Sequence, residues 1–455
     1  MSRKDQSSIK HQAAQFLRSD FSGQVFDNWP THPPEVIPLL NPDDYPASVT
    51  AALDTVRTNY SNLYFSAMKF IGHGDPSTWN VTHFAVNPDS EAVLGSLGKI
   101  MILYAAFQLR EDVRAMLRRP GVNPANVRAK LQEGWANSIW PDLGRLANEV
   151  KDPSAPPFLD RIFTFGPSGP DFQGMDGCGV KQFLATAADI SAAPRSVLNP
   201  DVARNLGDVH HKEHEGHPSD RWSSLIDPDP KLSLPFAQRL WLTTRWSDNA
   251  AATTCAVEIG LPYINALMRG AGLYTDSFGG RGMRLYEAYE DPPHRDPNFK
   301  WWFDKFGAYF AYHPAGGPSS NLQAGTARSL AALLAALVRQ KLISQAVSIE
   351  MASFVRCLTS SDFQPIGSYV EWSLRDQLPP YNNYGDLWSK LGIDDPYEVD
   401  WAYLQYSSVA SSSPENRLGL VILNYTGPDL GDPANKNAEF HQCVRDLFSA
   451  FDALS

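Results

Sequence analysis

Residues Val93–Met101 read VLGSLGKIM. Ser96 and Lys99 stand three apart among small and apolar residues, just where an apolar run of helical spacing begins. Ile100, Leu103, Tyr104 and Phe107 recur at the period of one helix face, which predicts a helix from Ser96 to about Arg110. Two residues three apart share a face of such a helix. A serine hydroxyl is a weak nucleophile until a base takes its proton. An apolar setting moves a lysine toward its neutral form, and a neutral amine can be that base. At a helix start Ser96 would also aim its hydroxyl at backbone N–H groups and the positive helix end. Gly98 lies inside the motif, where it costs helix stability unless a loop or ligand must approach closely. Alone, the Ser-x-x-Lys spacing recurs by chance and assigns no chemistry.

Outward from this stretch, two β-rich runs, 62–71 and 79–87, flank a Gly/Asp/Pro turn and predict a hairpin. Residues 1–50 are polar and, near Pro30–Pro46, Pro-rich, as in an N-terminal extension wrapped on a domain. Residues 111–235 suggest helices broken by loops, with a long Pro/Gly loop at 152–179 of the kind used as a lid or binding loop. Residues 249–272 and 326–352 are again helical, and Thr326–Gln340 is apolar on most faces, which predicts a buried helix. Strand-like runs follow at Leu387–Ile393, Val399–Val409 and Leu418–Tyr425, then a helix over Ala434–Leu454. The expected fold class is α/β of the α+β kind: an antiparallel sheet built from both chain ends and flanked by helices, plus an all-helical lobe. The corresponding division is an extension (1–50), a sheet lobe (51–95 and 355–455) and a helical lobe (96–354) with an inserted segment at about 111–235. There is no internal repeat.

The chain has 455 residues, 43% hydrophobic and 20% charged, with a net charge of −11. That balance is that of a soluble globular protein, and the acidity argues against nucleic-acid or anionic-membrane partners. The N-terminus has basic residues but no apolar core for a signal peptide, and apolar runs such as Leu330–Val338 are too short to span a bilayer. Cys178, Cys255, Cys357 and Cys443 lie far apart without Cys-x-x-Cys spacing, so reduced thiols are expected. These features point to a cytoplasmic protein, with a leaderless export route left open. His210 and His214 are four apart and could face a metal on a helix. Interleaved charges and the lack of an apolar stripe favour a solvated loop, and no metal or cofactor is expected.

Two further short motifs stand downstream. Ser247-Asp248-Asn249 opens a helix, where these residue types are favoured caps. Lys390-Leu391-Gly392 ends one strand run before another, where a lysine reads by itself as an exposed edge residue. Taken in order, Ser-x-x-Lys, Ser-Asp-Asn and Lys-x-Gly form the motif set of penicillin-binding proteins and class A β-lactamases, and the chain resembles that superfamily. The flanks do too. NPDSEAVLGSLGKIMILYAAFQL (87–109) is similar to the nucleophile helix and its approach, and SDNAAATTCAVEIGLPYINALMRGAGL (247–273) to the following helical pair. TARSLAALLAALVRQKLIS (326–344) is similar to the long helix before the last strands, and GLVILNYTG (419–427) to the final strand. The likeness spans roughly 62–110 and 236–455, whereas the stretch 111–235 is longer than the family pattern.

The resemblance implies roles. Ser96 matches the acylated nucleophile and Lys99 the partner that takes its proton. Ser247 matches the hydroxyl that relays a proton to the leaving group. Asn249 matches the amide that contacts substrate and lysine, and Lys390 the cation that steadies the relay and the substrate's negative end. The backbone N–H groups of Ser96 and Ile393 match the oxyanion hole. Leu391 and Gly392 match substrate-binding positions, but the family has a hydroxyl residue where Leu391 stands, so affinity for the carboxylate of β-lactams should fall. Leu285-Tyr286-Glu287-Ala288 resembles the tail of the deacylating motif, which puts Gly282 where class A enzymes carry a glutamate; Glu287 and Glu290 read as residues of a solvated face, with a stand-in for that glutamate as the alternative. The expected function is a serine hydrolase or acyltransferase acting through an acyl-Ser96 on a small-molecule ester or amide. The alternatives are a class A-type β-lactamase and a non-catalytic binding protein on the same fold. The oligomeric state is not legible.

Overall fold

In the computed structural model the described residues are 35–41, 47–59, 63–138, 157–165, 230–275, 281–285, 289, 323–355, 384–394, 397–406, 416–425 and 445–446. The expected hairpin is present: Tyr64–Ile71 (β1) pairs antiparallel with Asn80–Val86 (β2), Phe65 opposite Val86 and Ile71 opposite Asn80. In its turn the Asp75 carboxylate accepts the Ser77 N–H at 2.9 Å and caps a 3₁₀ turn over Pro76–Thr78. Beyond the short strands Glu91–Val93 (β3), Tyr274–Thr275 (β6), Arg284–Leu285 (β8) and Gln323–Thr326 (β9), the strands Tyr384–Asp394 (β10), Tyr397–Tyr406 (β11) and Asn416–Tyr425 (β12) complete a sheet of order β10-β11-β12-β1-β2, antiparallel throughout. The sheet is therefore assembled from both ends of the chain, and the first hairpin meets the C-terminal strands through β1 and β12. Phe65–Met68 and Arg417–Leu423 are buried without alternation, so these strands are covered on both faces.

One covering element is the helix Ala327–Val338, which packs on β1, β11 and β12. Its apolar sequence is buried on nearly every face, as expected. Thr326 and Ser329 form a reciprocal capping box at its start, and the indole N–H of Trp401 donates to the Leu330 carbonyl at 3.1 Å. The run 326–352 is two helices, Ala327–Val338 and Gln345–Ser353, not one. The run 249–272 likewise divides into Asn249–Ile259 and Leu261–Gly270 at Gly260, with Pro262 in the first turn of the second helix. Pro262 has no N–H to donate to the Glu258 carbonyl, so the first helix cannot run on through it.

The central helix is Lys99–Leu117, longer than the sequence suggested and almost wholly buried. Helix Asn249–Ile259 and helix Leu261–Gly270 pack on it. Its polar core positions are satisfied. Tyr263 donates its hydroxyl to Asp112 Oδ2 at 2.7 Å, and Gln108 Nε2 donates to Asp112 Oδ1 at 3.2 Å. Arg110 forks onto Glu350 at 2.8 and 2.7 Å, tying the central helix to Gln345–Ser353. A bidentate, partly buried pair of this kind fixes orientation as well as adding energy. The element that starts with Lys99 is thus clamped along its length.

Within the expected insertion, Phe163–Phe165 (β4) pairs antiparallel with Pro230–Leu232 (β5), Phe165 opposite Pro230. The Pro/Gly loop beyond residue 165, His210 and His214 lie outside the described residues, as does most of the expected helix 434–454. Among the described residues no helix is long and apolar enough to cross a membrane, and no cluster of three or more metal-ligating side chains occurs. Cys255 is a buried free thiol; burial in the helical core pushes its pKa up to about 12.

Candidate active site

The VLGSLGK stretch does not enter an α-helix at Ser96. Gly95–Gly98 forms a 3₁₀ turn, and the central helix begins at Lys99. Three residues per turn bring i and i+3 into eclipse, so this geometry stacks Ser96 and Lys99 more directly than an α-helix would. The Ser96 hydroxyl does not act as a helix cap; Lys99 Nζ lies 3.0 Å from Ser96 Oγ. Lys99 is wholly buried, while Ser96 is partly exposed. The pair therefore combines a reachable hydroxyl with an amine withdrawn from water.

The Ser-Asp-Asn motif follows a π-helical turn, Leu242–Trp246. Ser247 is held in the left-handed region at φ 57°, unusual for a residue other than glycine and of a kind that clusters at functional sites. Asp248 caps the next helix by accepting the Ala251 N–H at 2.6 Å. Its neighbours face the lysine. Lys99 Nζ is 2.5 Å from the Ser247 carbonyl, 3.3 Å from Ser247 Oγ and 2.6 Å from Asn249 Oδ1. Asp248 thus serves as the helix cap, while Ser247 and Asn249 on either side of it turn oxygens to Lys99.

Those four distances specify what Lys99 can do. The Ser247 carbonyl and Asn249 Oδ1 can only accept, so each takes one N–H of the amine. A neutral amine then has its lone pair left for the Ser96 hydroxyl, and the ammonium formed on proton transfer has its third N–H for the same oxygen. The cradle suits both protonation states, and no donor needs to move between them.

Lys390 comes from β10, which is an edge strand as its motif suggested, but the side chain is buried rather than exposed. It donates to Ser247 Oγ at 2.9 Å and to the Leu391 carbonyl at 2.7 Å. Burial holds its pKa well below the ordinary lysine value; Lys99 and Arg245 push the same way and Asp400 opposes them. Leu391 is buried and offers no side-chain donor. Gly392 is where β10 presses on the Ser96 turn. A Cβ there would overlap the Leu94 carbonyl oxygen and stand 2.7 Å from the Leu97 nitrogen. Only glycine lets the strand come this close, and the backbone N–H of Ile393 follows one residue on.

Gly282 lies in a short strand, Arg281–Gly282 (β7), opposite Tyr274, at φ 131°. A Cβ there would overlap the Leu273 carbonyl oxygen, so the position has no room for any side chain. Gly282→Glu is therefore expected to cost about 3 kcal/mol or more through backbone strain and overlap, with no gain in release of an acyl product. Chemical denaturation and product release measured on the same variant check this; a variant as stable as the parent and faster in release would contradict it. Glu287 and Glu290 lie outside the described residues.

Tyr289 is the side chain that sequence reasoning missed. Its ring centroid is 4.7 Å from Lys99 Nζ, and its hydroxyl is buried against the Gly98 backbone. A Cβ on Gly98 would stand 2.7 Å from that hydroxyl and 2.9 Å from Gln323 Cβ, which is the close approach the glycine implied. Burial raises the phenol's pKa well above its ordinary value, so it remains neutral. No spacing rule singles out Tyr289 in RLYEAYEDPP. Gly98, a helix-weakening residue inside an otherwise apolar start, was the only hint that something packed there.

No family model and no curated protein matches the chain. Solved structures similar to it include a β-lactamase from Sphaerobacter thermophilus, at 14% identity over 89% of this chain and 95% of that one, with a TM-score of 0.38. A class A β-lactamase from Mycobacterium abscessus has 12% identity over 89% and 99% and a TM-score of 0.38. A β-lactamase from Burkholderia phymatum has 12% identity over 89% and 99%, again at 0.38. Overlaps of this size assign no chemistry to the chain.

Proposed function

We propose that this chain is a serine acyl-transfer enzyme of the serine β-lactamase and penicillin-binding protein superfamily. The observation that carries the reading is the convergence on one buried amine: Ser96, Ser247 and Asn249 all place an oxygen within 3.3 Å of Lys99 Nζ, and Lys390 reaches the same Ser247 hydroxyl. Packing alone has no need of two buried lysines joined through one hydroxyl, since unpaired buried cations are costly.

In this reading Lys99 takes the Ser96 proton as Oγ attacks the substrate carbonyl carbon. The N–H groups of Ser96 and Ile393 hold the oxyanion, worth a few kcal/mol of barrier in comparable sites. Ser247, steadied by Lys390, passes a proton to the departing oxygen or nitrogen as the carbonyl–leaving-group bond breaks. The acyl group then rests on Ser96 until water or another acceptor removes it. Asn249, Leu391 and Gly392 line the substrate position. Without a hydroxyl at Leu391 the site favours esters, amides or thioesters of small molecules over carboxylated β-lactams.

A fluorophosphonate probe tests the class of function. Labelling of Ser96 in the full chain and none in Ser96→Ala is the expected outcome. Failure of the wild type to label at any pH would point instead to a binding protein. Turnover of p-nitrophenyl esters against a chromogenic cephalosporin separates the enzymatic readings, and a fast cephalosporin reaction would favour β-lactam hydrolysis.

A further inference from the structure

The segment EVIPLLN (35–41) lies in neither helix nor strand, ahead of the helix Ala47–Asn59. Such a segment stays in place only where its backbone polar groups and apolar side chains find partners. This one is tied at both ends. The Ile37 N–H donates to the Ala271 carbonyl at 2.9 Å, just past helix Leu261–Gly270. Ile37 is buried in the core, and Leu39 and Leu40 pack against it. At the other end the Leu40 carbonyl and Asn41 Oδ1 accept from Arg328 Nη1 at 2.8 and 3.3 Å.

Arg328 also holds a second segment. Its Nε and Nη2 fork onto the Asp89 carboxylate at 2.7 and 2.8 Å, and its backbone N–H donates to the Pro88 carbonyl at 3.0 Å. A fork of this kind fixes direction as well as adding energy. Asp89 leads into β3, and β9 leads into Arg328; the two strands pair, Glu91 opposite Thr326 and Val93 opposite Ala324. The far end of this pair is the nucleophile turn. The Leu94 N–H donates to the Gln323 carbonyl at 2.9 Å, and within the turn the Leu97 N–H donates to the Leu94 carbonyl at 2.8 Å. The Gln323 side chain lies against Gly98. A ladder this short has little stability of its own, so its Ser96 end takes its place from whatever clamps its Arg328 end.

We propose that residues 35–41 latch the Ser96 turn: they hold the Arg328 guanidinium, Arg328 clamps Asp89 to the start of helix Ala327–Val338, and the β3–β9 pair carries that clamp to Ser96. Arg328 is thus a positioning residue that acts through the turn. The consequence for chemistry rests on the acyl-enzyme reading above; the hold on the turn does not.

The test uses the full-length chain. Amide hydrogen exchange is followed by mass over residues 91–98 and, for reference, over 100–109 in the central helix, alongside the rate of fluorophosphonate labelling at Ser96. Ile37→Asp drives the segment off the core, and Arg328→Gln removes the fork. Each should speed exchange over 91–98 by roughly ten-fold and leave 100–109 unchanged. Labelling should slow by roughly ten-fold, as a small displacement of the reacting group predicts. Arg328→Lys keeps the charge without the fork and should fall between wild type and Arg328→Gln. Since the segment acts through Arg328, both substitutions together should change the two readings no more than Arg328→Gln alone. Unchanged exchange over 91–98 in folded Arg328→Gln overturns the proposal. So does a rise shared equally by 100–109, which marks general loosening, and so does parental labelling despite faster exchange. Additive effects in the double variant overturn the segment's part in it. If Arg328→Gln does not fold, Ile37→Asp decides by the same comparison. If the wild type takes no label, the acyl-enzyme reading fails, and exchange alone decides the latch.

Discussion

Replacing Lys99 with methionine is expected to slow fluorophosphonate labelling of Ser96 by roughly 10²–10⁴-fold, the range over which a positioned base contributes. Methionine has nearly the length and volume of lysine but no lone pair comparable to the amine's, so on the acyl-enzyme reading Ser96 keeps its place and loses its base. Stability should move less, because two effects oppose each other. The Ser247 carbonyl and Asn249 Oδ1 lose a donor, at about 1–3 kcal/mol for each acceptor left unsatisfied. Against this, the protein no longer has to desolvate an amine that is wholly buried. Labelling rates and urea unfolding midpoints on the same preparation separate the two. A folded Lys99→Met protein that labels at the parental rate would show that some other group takes the proton.

On the acyl-enzyme reading, Lys390→Met is expected to cut acylation by about a hundred-fold or more, since the Ser247 hydroxyl loses the amine that donates to it. Its effect on stability has a definite sign with pH. The folded-state pKa of Lys390 is lowered below the ordinary value of 10.5. Between those two values the unfolded chain binds more protons than the folded one, so wild-type stability rises as pH rises through that window. The slope approaches about 1.4 kcal/mol per pH unit where one full proton separates the states. Methionine has no proton to bind, so its unfolding free energy should lack this rise. At neutral pH the variant regains what the wild type spends on desolvating the amine, offset by the donor lost to Ser247 and Leu391. Unfolding curves at several values between neutral pH and 10 decide it. A wild-type slope that survives the substitution would place its origin in another group.

The two variants probe different halves of the same cluster, and different parts of it were legible beforehand. The order of three short motifs was enough to bring Ser96, Lys99, Ser247, Asn249 and Lys390 together as candidates, because each has a side chain whose chemistry is meaningful only beside the others. Ser-x-x-Lys alone could not have done so. The hairpin, the three C-terminal strands and the buried helix at 327–338 were equally visible, because hydrophobic period and turn residues are local signals. What local signals misjudged was the entry to the central helix. Gly95–Gly98 takes the tighter 3₁₀ form where β10 and Tyr289 press on it, and that contact with distant segments is not written in the local spacing. The exposed-edge reading of Lys390 failed for the same reason. Position at a sheet edge is a property of strand order, whereas burial depends on what lies beyond the edge, here the Ser96 turn and the Ser247 loop.

By itself the sequence determined the fold class, the strands and helices with strong periodicity, and the identity of the polar residues available for chemistry, because all of these are written in residue type and spacing. Only the tertiary structure decided how a single amine is shared among four oxygens, why positions 392 and 282 must be glycine, and which ring stands against Lys99. Those are facts of close approach between segments up to some three hundred residues apart, and a linear pattern holds no distance between such segments until the core has packed.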